Sequence, residues 1–392
     1  MARRTAATEP WPQRTLAALR LRQQQGLLQV RTAAAYRALV AQVGLQEAYA
    51  QTDVVAAADA VLTDQGALLL SLGPADPPIR LRELQLGGVA ALVGGAAADL
   101  VLPLGGALGD PSRRSGAQVL TDLIAGRQLG LSGLGEPTPL QPRLELSGSV
   151  GLAQLGGGRL LLQRAIVENG LVAVSSGEGL LRSPLGPLLG PLVSALYSCG
   201  GAGSIGLTMP GLRQLGPGSP VLVGGAIGMV VGPGSGHHPA VQRQPSGHAC
   251  GPGLCAAVMV ELELLPAAGV HSCFLEGHGA ALLVPIAAPV PLLDAETAAQ
   301  AAAGPDVLEA PVLDLAIPRR IKPRLAHVSY AALQSGSFTL QGRQLRCAPA
   351  HSPRLAAAAA DQLVELLCSG AMPLQEPLRP LSSRAGLVPL DL

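Results

Sequence analysis

Val221-Leu222-Val223-Gly224-Gly225-Ala226-Ile227-Gly228-Met229-Val230-Val231 is the stretch that decides how this chain is read. Apolar, β-branched runs stand on both sides of a Gly-Gly pair. Such runs favour strands, and glycine supplies the backbone freedom of a tight turn. The reading is two strands, 221–223 and 226–231, around Gly224 and Gly225. Immediately beyond lies Gly232-Pro233-Gly234-Ser235-Gly236-His237-His238-Pro239, a loop rather than an element.

Working outward, the same signals recur. Residues 27–30, 54–62, 67–72, 143–146, 160–162, 171–175, 256–264 and 280–284 read as strands. Residues 14–25, 33–43, 115–124, 295–303 and 355–368 read as helices, with Thr32 as the cap of the second. The fold class is therefore α/β: glycine-rich mixed sheets with flanking helices, the topology left open. Residues 1–13 read as a loose leader and 382–392 as a tail. Residues 14–381 form one body, which two lobes meeting near 178–224 would also satisfy.

Composition narrows the function. Hydrophobic residues make up 48% and charged residues 14%, which excludes a disordered charged chain. Net charge is +1 and aromatics are 2%, so neither the basic stripe nor the stacking platforms of a nucleic-acid binder are present. Mean hydropathy is +0.37. Yet the apolar stretches around 86–108 and 185–196 are broken by Gly, Pro and Asp99, too often for a helical span. A cytoplasmic location is expected, with no membrane or nucleic-acid partner. So is a homo-oligomer, since an apolar chain must cover its surface.

Positions 179–260 contain no Asp or Glu, and only Arg182, Arg213 and Arg243 carry fixed charge there. Such a segment suits anion binding by backbone N–H groups, and equally a buried sheet. Within it, Gly201-Ala202-Gly203-Ser204-Ile205-Gly206 has the GxGxxG spacing. Met209-Pro210-Gly211 stops any following helix, and the acidic partner is missing. A glycine loop pressed against a ligand or another backbone fits better than a dinucleotide site. His237, His238, His248, Cys250 and Cys255 raise a structural zinc reading, against that of an exposed loop over a site; no metal is assigned. The six cysteines, at 199, 250, 255, 273, 347 and 368, are too sparse for a disulfide scaffold.

Six elements in order carry a family resemblance. They are Ala75-Asp76-Pro77-Pro78-Ile79, the run from Ser115 to Arg127, Gly224-Gly225 through His237-His238-Pro239, Gly277 to Asp294, Asp314 to Arg320, and Val328-Ser329-Tyr330 through Ser337. Together the chain resembles the homocysteine biosynthesis (HcyBio) family of sulfur-incorporation proteins, over about 14–381. The resemblance implies formation of homocysteine from aspartate semialdehyde with a sulfide source and an external reductant. It also implies an iron–sulfur, ferredoxin-like electron donor as partner; this chain has no C-x₂-C-x₂-C run of its own. Family members are expected to carry cysteines near the positions of 63–70 and 136–143, where this chain has none.

The chemistry selects candidates. Sulfur delivery wants a thiol, for which Cys273, between His271 and His278, is nominated. His278 and His237 are the acid/base candidates. Arg319 and Arg320 are the carboxylate clamp, and Asp76, Gly224 and Gly225 are further substrate-binding candidates. An enzyme so built gathers Asp76, Cys199, His237, Cys273, His278 and Arg319 around one pocket. The rival expectation is a non-catalytic relative that holds a small anionic ligand or a partner protein.

Overall fold

The structure, a computed structural model, describes residues 11–93, 99–106 and 113–384. The first ten residues of the expected leader and most of the expected tail lie outside them. The fold is α/β, as read. Among the described residues the largest unit is a 14-stranded sheet. Its centre is the long strand Leu155–Val167, which pairs antiparallel with Cys255–Glu261 on one side and Gly66–Leu72 on the other. Toward one edge the order continues through Ala226–Pro233, Pro220–Val223 and Gly279–Pro291 to Val54–Thr63 and Val30–Thr32. Toward the other it runs through Asp99–Pro103, Val89–Val93, Leu81–Leu86 and Leu129–Gly135 to Glu145–Val150.

Gly224 and Gly225 form the turn between Pro220–Val223 and Ala226–Pro233, with φ of +58° and +86°. Both are left-handed, which only glycine adopts freely in a two-residue hairpin. A Cβ on Gly224 would also stand 2.9 Å from the Val270 side chain.

A second, six-stranded sheet has the order Arg324–Ser329, Glu309–Asp314, Val172–Val174, Ser194–Tyr197, Arg343–Pro349, Ser337–Leu340. It buries its own cluster, including Val172, Val174, Tyr197, Val312, Tyr330 and Leu345. The helix Pro353–Cys368 starts on the Ser352 cap and Pro353. Its buried face, Ala359, Ala360, Leu363 and Leu367, packs on Val54, Ala56 and Ala58.

Several local readings change, and strands such as Leu81–Leu86, Leu129–Gly135, Glu309–Asp314 and Arg343–Pro349 appear where none was read. The strand expected at 280–284 runs on to Pro291. Proline removes a donor, yet Pro285, Pro289 and Pro291 all lie within this strand. The carbonyl of Pro285 remains, and it accepts from the Gly224 N–H at 2.8 Å. A short helix, Leu45–Ala50, follows Gly44 where none was expected. Among the described residues, no helix is long and apolar enough to cross a membrane.

Candidate functional site

A cavity of about 310 Å³ lies where the two sheets meet. The large sheet contributes Asp59, Thr63, Asp64 and Gln65 from the end of Val54–Thr63 and its turn, Arg164 from Leu155–Val167, and His278 beside Gly279–Pro291. The second sheet contributes Ser198 and Cys199, just past Ser194–Tyr197. Asn169 and Gly170 bridge the two.

Cys199 is buried. Its sulfur accepts from the Gly201 N–H at 3.4 Å, and the Ser204 hydroxyl also reaches it, with the Tyr330 hydroxyl alongside. Burial, reinforced by the nearby Asp59 charge, pushes the thiol up to about 11; these polar neighbours pull the other way. At neutral pH the side chain is an S–H group facing a cavity, with a ready-made hydrogen-bond set for a thiolate. Burial likewise pushes the Asp59 carboxyl up to about 6, although the Ile205 N–H donates to it at 2.9 Å. Tyr330 is fully buried, its phenol held well above its ordinary range by burial and then by Cys199.

Asn169 fixes this arrangement. Its side-chain oxygen accepts from the Gly170 N–H at 2.7 Å and the Tyr330 hydroxyl at 2.6 Å. Its amide donates to the carbonyls of Ala249 at 2.7 Å and Glu309 at 2.8 Å. All four bonds of the amide are used, so it positions and does not react. The GxGxxG loop wraps the same spot. A Cβ on Gly201 would stand 2.5 Å from the Tyr330 ring, and one on Gly206 2.3 Å from the Glu168 backbone. The loop is pressed against protein, as that reading preferred.

His278 meets Asp64 at 3.1 Å between Nε2 and the carboxylate. A carboxylate on one ring nitrogen orients the imidazole, the usual arrangement of a proton-shuttling histidine. Arg164 donates to the Ser235 carbonyl at 3.0 Å and lines the cavity as a cation.

The sequence candidates therefore separate. His278 and Cys199 share the cavity. Cys273 stands outside it, on the strand His271–Leu275, opposite Ala281, its thiol raised by burial. His237 has both ring nitrogens tied to backbone: Nδ1 to Cys255, at 3.1 Å to the N–H, and Nε2 to the Ser382 carbonyl at 2.7 Å. Asp76 is exposed and precedes a cis proline, its carbonyl accepting from Arg143 at 2.5 Å. Arg319 and Arg320 are exposed, and Gly224 and Gly225 form the hairpin turn. Gathering all six expected residues around one pocket does not occur. Among the described residues, no group of three His, Cys, Asp or Glu side chains is placed to hold a metal.

Sequence reading missed Asp59, Arg164 and Asn169. Only Asp59 gave a local signal, a lone carboxylate in the apolar run Val54-Val55-Ala56-Ala57-Ala58-Asp59-Ala60-Val61-Leu62.

Residues 28–374 match the family described as "Homocysteine biosynthesis enzyme, sulfur-incorporation". The chain belongs to this family. It is 28% identical over 364 residues to the L-aspartate semialdehyde sulfurtransferase of Methanosarcina acetivorans, covering 92% of this chain and 70% of that protein. It is 27% identical over 312 residues to the protein of the same name from Methanocaldococcus jannaschii, covering 77% of this chain and 58% of that one. No solved structure matches the chain. Thr63 lines the cavity, as does one thiol, Cys199.

Proposed function

We propose that this protein forms homocysteine from L-aspartate semialdehyde by incorporating sulfur, and that the Cys199 cavity is where it does so. The match over residues 28–374 carries the reading. The overall reaction joins the aldehyde, hydrogen sulfide, two electrons and two protons, and yields homocysteine and water. The carbonyl oxygen leaves as the water, and the C–S bond replaces C=O.

Each step has a candidate in the cavity. Arg164 offers a guanidinium to the substrate carboxylate. Sulfide attacks the aldehyde carbon, and the carbonyl electron pair moves to oxygen, which needs a proton. His278, oriented by Asp64, and Asp59, pushed up to about 6, are the acids in reach of the cavity. A second protonation expels water and leaves a thiocarbonyl, which two electrons and two protons reduce to the thiol. Cys199 holds the incoming sulfide beside the aldehyde carbon by hydrogen bonding and forms no bond to it. The geometry favours Cys199 over Cys273 for this role, because Cys199 lines the cavity with the acids. The electron donor is an external reductant, a ferredoxin-like iron–sulfur protein in the reading drawn from the family.

The test is direct. Purified protein is incubated with aspartate semialdehyde, sulfide and a low-potential reductant, and homocysteine is measured by mass spectrometry of the derivatised thiol. Homocysteine that requires protein and all three components supports the reading. No turnover, together with thermal stabilisation by aspartate semialdehyde, points instead to a non-catalytic binding relative.

A further inference from the structure

A second cavity, of about 580 Å³, lies beside the first, and Asp59 lines both. The strand Val54–Thr63 divides them. Side chains alternate along a strand, so Asp59, Val61 and Thr63 line the first cavity while Ala56, Ala58 and Ala60 line the second. The opposite wall is again alanine, from the helices Ala33–Val43 and Pro353–Cys368. In a chain this rich in leucine, methyl-sized walls on three elements keep open a volume that larger side chains would fill.

One charged group reaches into this alanine-lined space with bonds to spare. Arg37 donates through Nη2 to the Ala202 carbonyl at 3.3 Å, but its Nη1 is buried and has no partner. Burial lowers its pKa, and no carboxylate contributes to that shift. Two carboxylates line the same cavity: Asp59 is held by Ile205, and Asp361 is exposed on the helix Pro353–Cys368. Neither forms an ion pair with Arg37. The remaining ionisable group, His351, is pushed down by burial and packs edge-on against Tyr197. A guanidinium stays charged, and a half-buried one whose Nη1 is shut from water and unpartnered gains an anion's pairing when a ligand supplies it.

We propose that this cavity is a second ligand site, for a small organic carboxylate whose head pairs with Arg37 and whose short apolar body lies among the alanines. A planar carboxylate matches the guanidinium fork. The alanine walls favour an organic body over a hydrated inorganic ion. The inference does not rest on sulfur transfer, since it concerns binding without turnover.

The experiment is isothermal titration calorimetry of the full chain with sodium butyrate and sodium hexanoate, beside 1-butanol, phosphate and sulfate. Saturable binding of the carboxylates and none of the alcohol is expected. Arg37→Gln weakens that binding about 20-fold or more, the loss of a charge-assisted pair. Ala357→Leu, on an exposed helical position that lines the cavity, blocks binding without disturbing packed residues. Cys199→Ser leaves binding unchanged, which separates this site from the first cavity. The proposal is overturned if no carboxylate binds, if Arg37→Gln and Ala357→Leu both bind as the parent does, if Cys199→Ser abolishes binding, or if only phosphate and sulfate bind.

Discussion

The strand His271–Leu275 and the bend after Ser194–Tyr197 each present one cysteine. Cys273 sits in a histidine-rich stretch, on a strand paired to only one neighbour, with its sulfur near the His271 carbonyl at 3.8 Å. Cys199 sits before a glycine loop, buried between two sheets, its sulfur accepting from the Gly201 N–H with the Ser204 hydroxyl in reach. Burial raises both thiols. What differs is company: Cys199 shares a cavity with Asp59, Asp64, Arg164 and His278. Nearness in sequence to histidine is a poor guide to chemistry, because strand partners and not chain neighbours decide which groups face one another.

The sharpest way to break this comparison is a pair of serine variants. Cys199→Ser is expected to lower the rate of homocysteine formation about 100-fold or more, and Cys273→Ser by less than about threefold. The reverse ranking inverts the assignment.

Glycines separate in the same manner. Gly206→Ala drives a Cβ to 2.3 Å from the Glu168 backbone and is expected to cost about 3 kcal/mol or more. Gly225→Ala meets the Pro266 side chain at 3.1 Å and that of Gln362 at 3.6 Å, and sits at φ +86°; roughly 1–2 kcal/mol is expected. Urea unfolding of both proteins measures the gap, and equal losses would erase the distinction between the packed loop and the hairpin turn.

The two histidines sharpen the picture further. His278→Gln should reduce kcat/KM about 50-fold by removing a proton carrier. His237→Gln should leave kcat within about threefold and lower stability by about 1 kcal/mol, since its ring bonds only to backbone. A kinetic defect confined to His237→Gln would move the site to the loop.

The effect at Asp59 depends on pH. Its folded pKa, about 6, lies above the ordinary carboxylate value. The folded chain thus holds this proton more tightly, and the stabilisation it gives below about pH 4 is lost as pH rises through about 6. Asp59→Asn should be more stable than the parent above pH 6, by up to about 2 kcal/mol, and equal to it near pH 4. Denaturation curves at both pH values check the sign.

Much of the fold was legible in the sequence. Thr32 caps the helix that follows it, and Gly224-Gly225 turns the chain between two strands. These are local events, fixed by hydrogen bonds and φ angles within a few residues. Six ordered motifs also gave the family, through a pattern along the chain. The site was not legible in that way. Asp59, Arg164, Asn169, Cys199 and His278 come from separate segments. They meet because Val54–Thr63 pairs with Gly279–Pro291, and because Asn169 ties the second sheet to the first. The sequence by itself determined the elements and the family. Only tertiary pairing decided which thiol faces which acid, since burial and charge proximity belong to the assembled sheets and to no single stretch of chain.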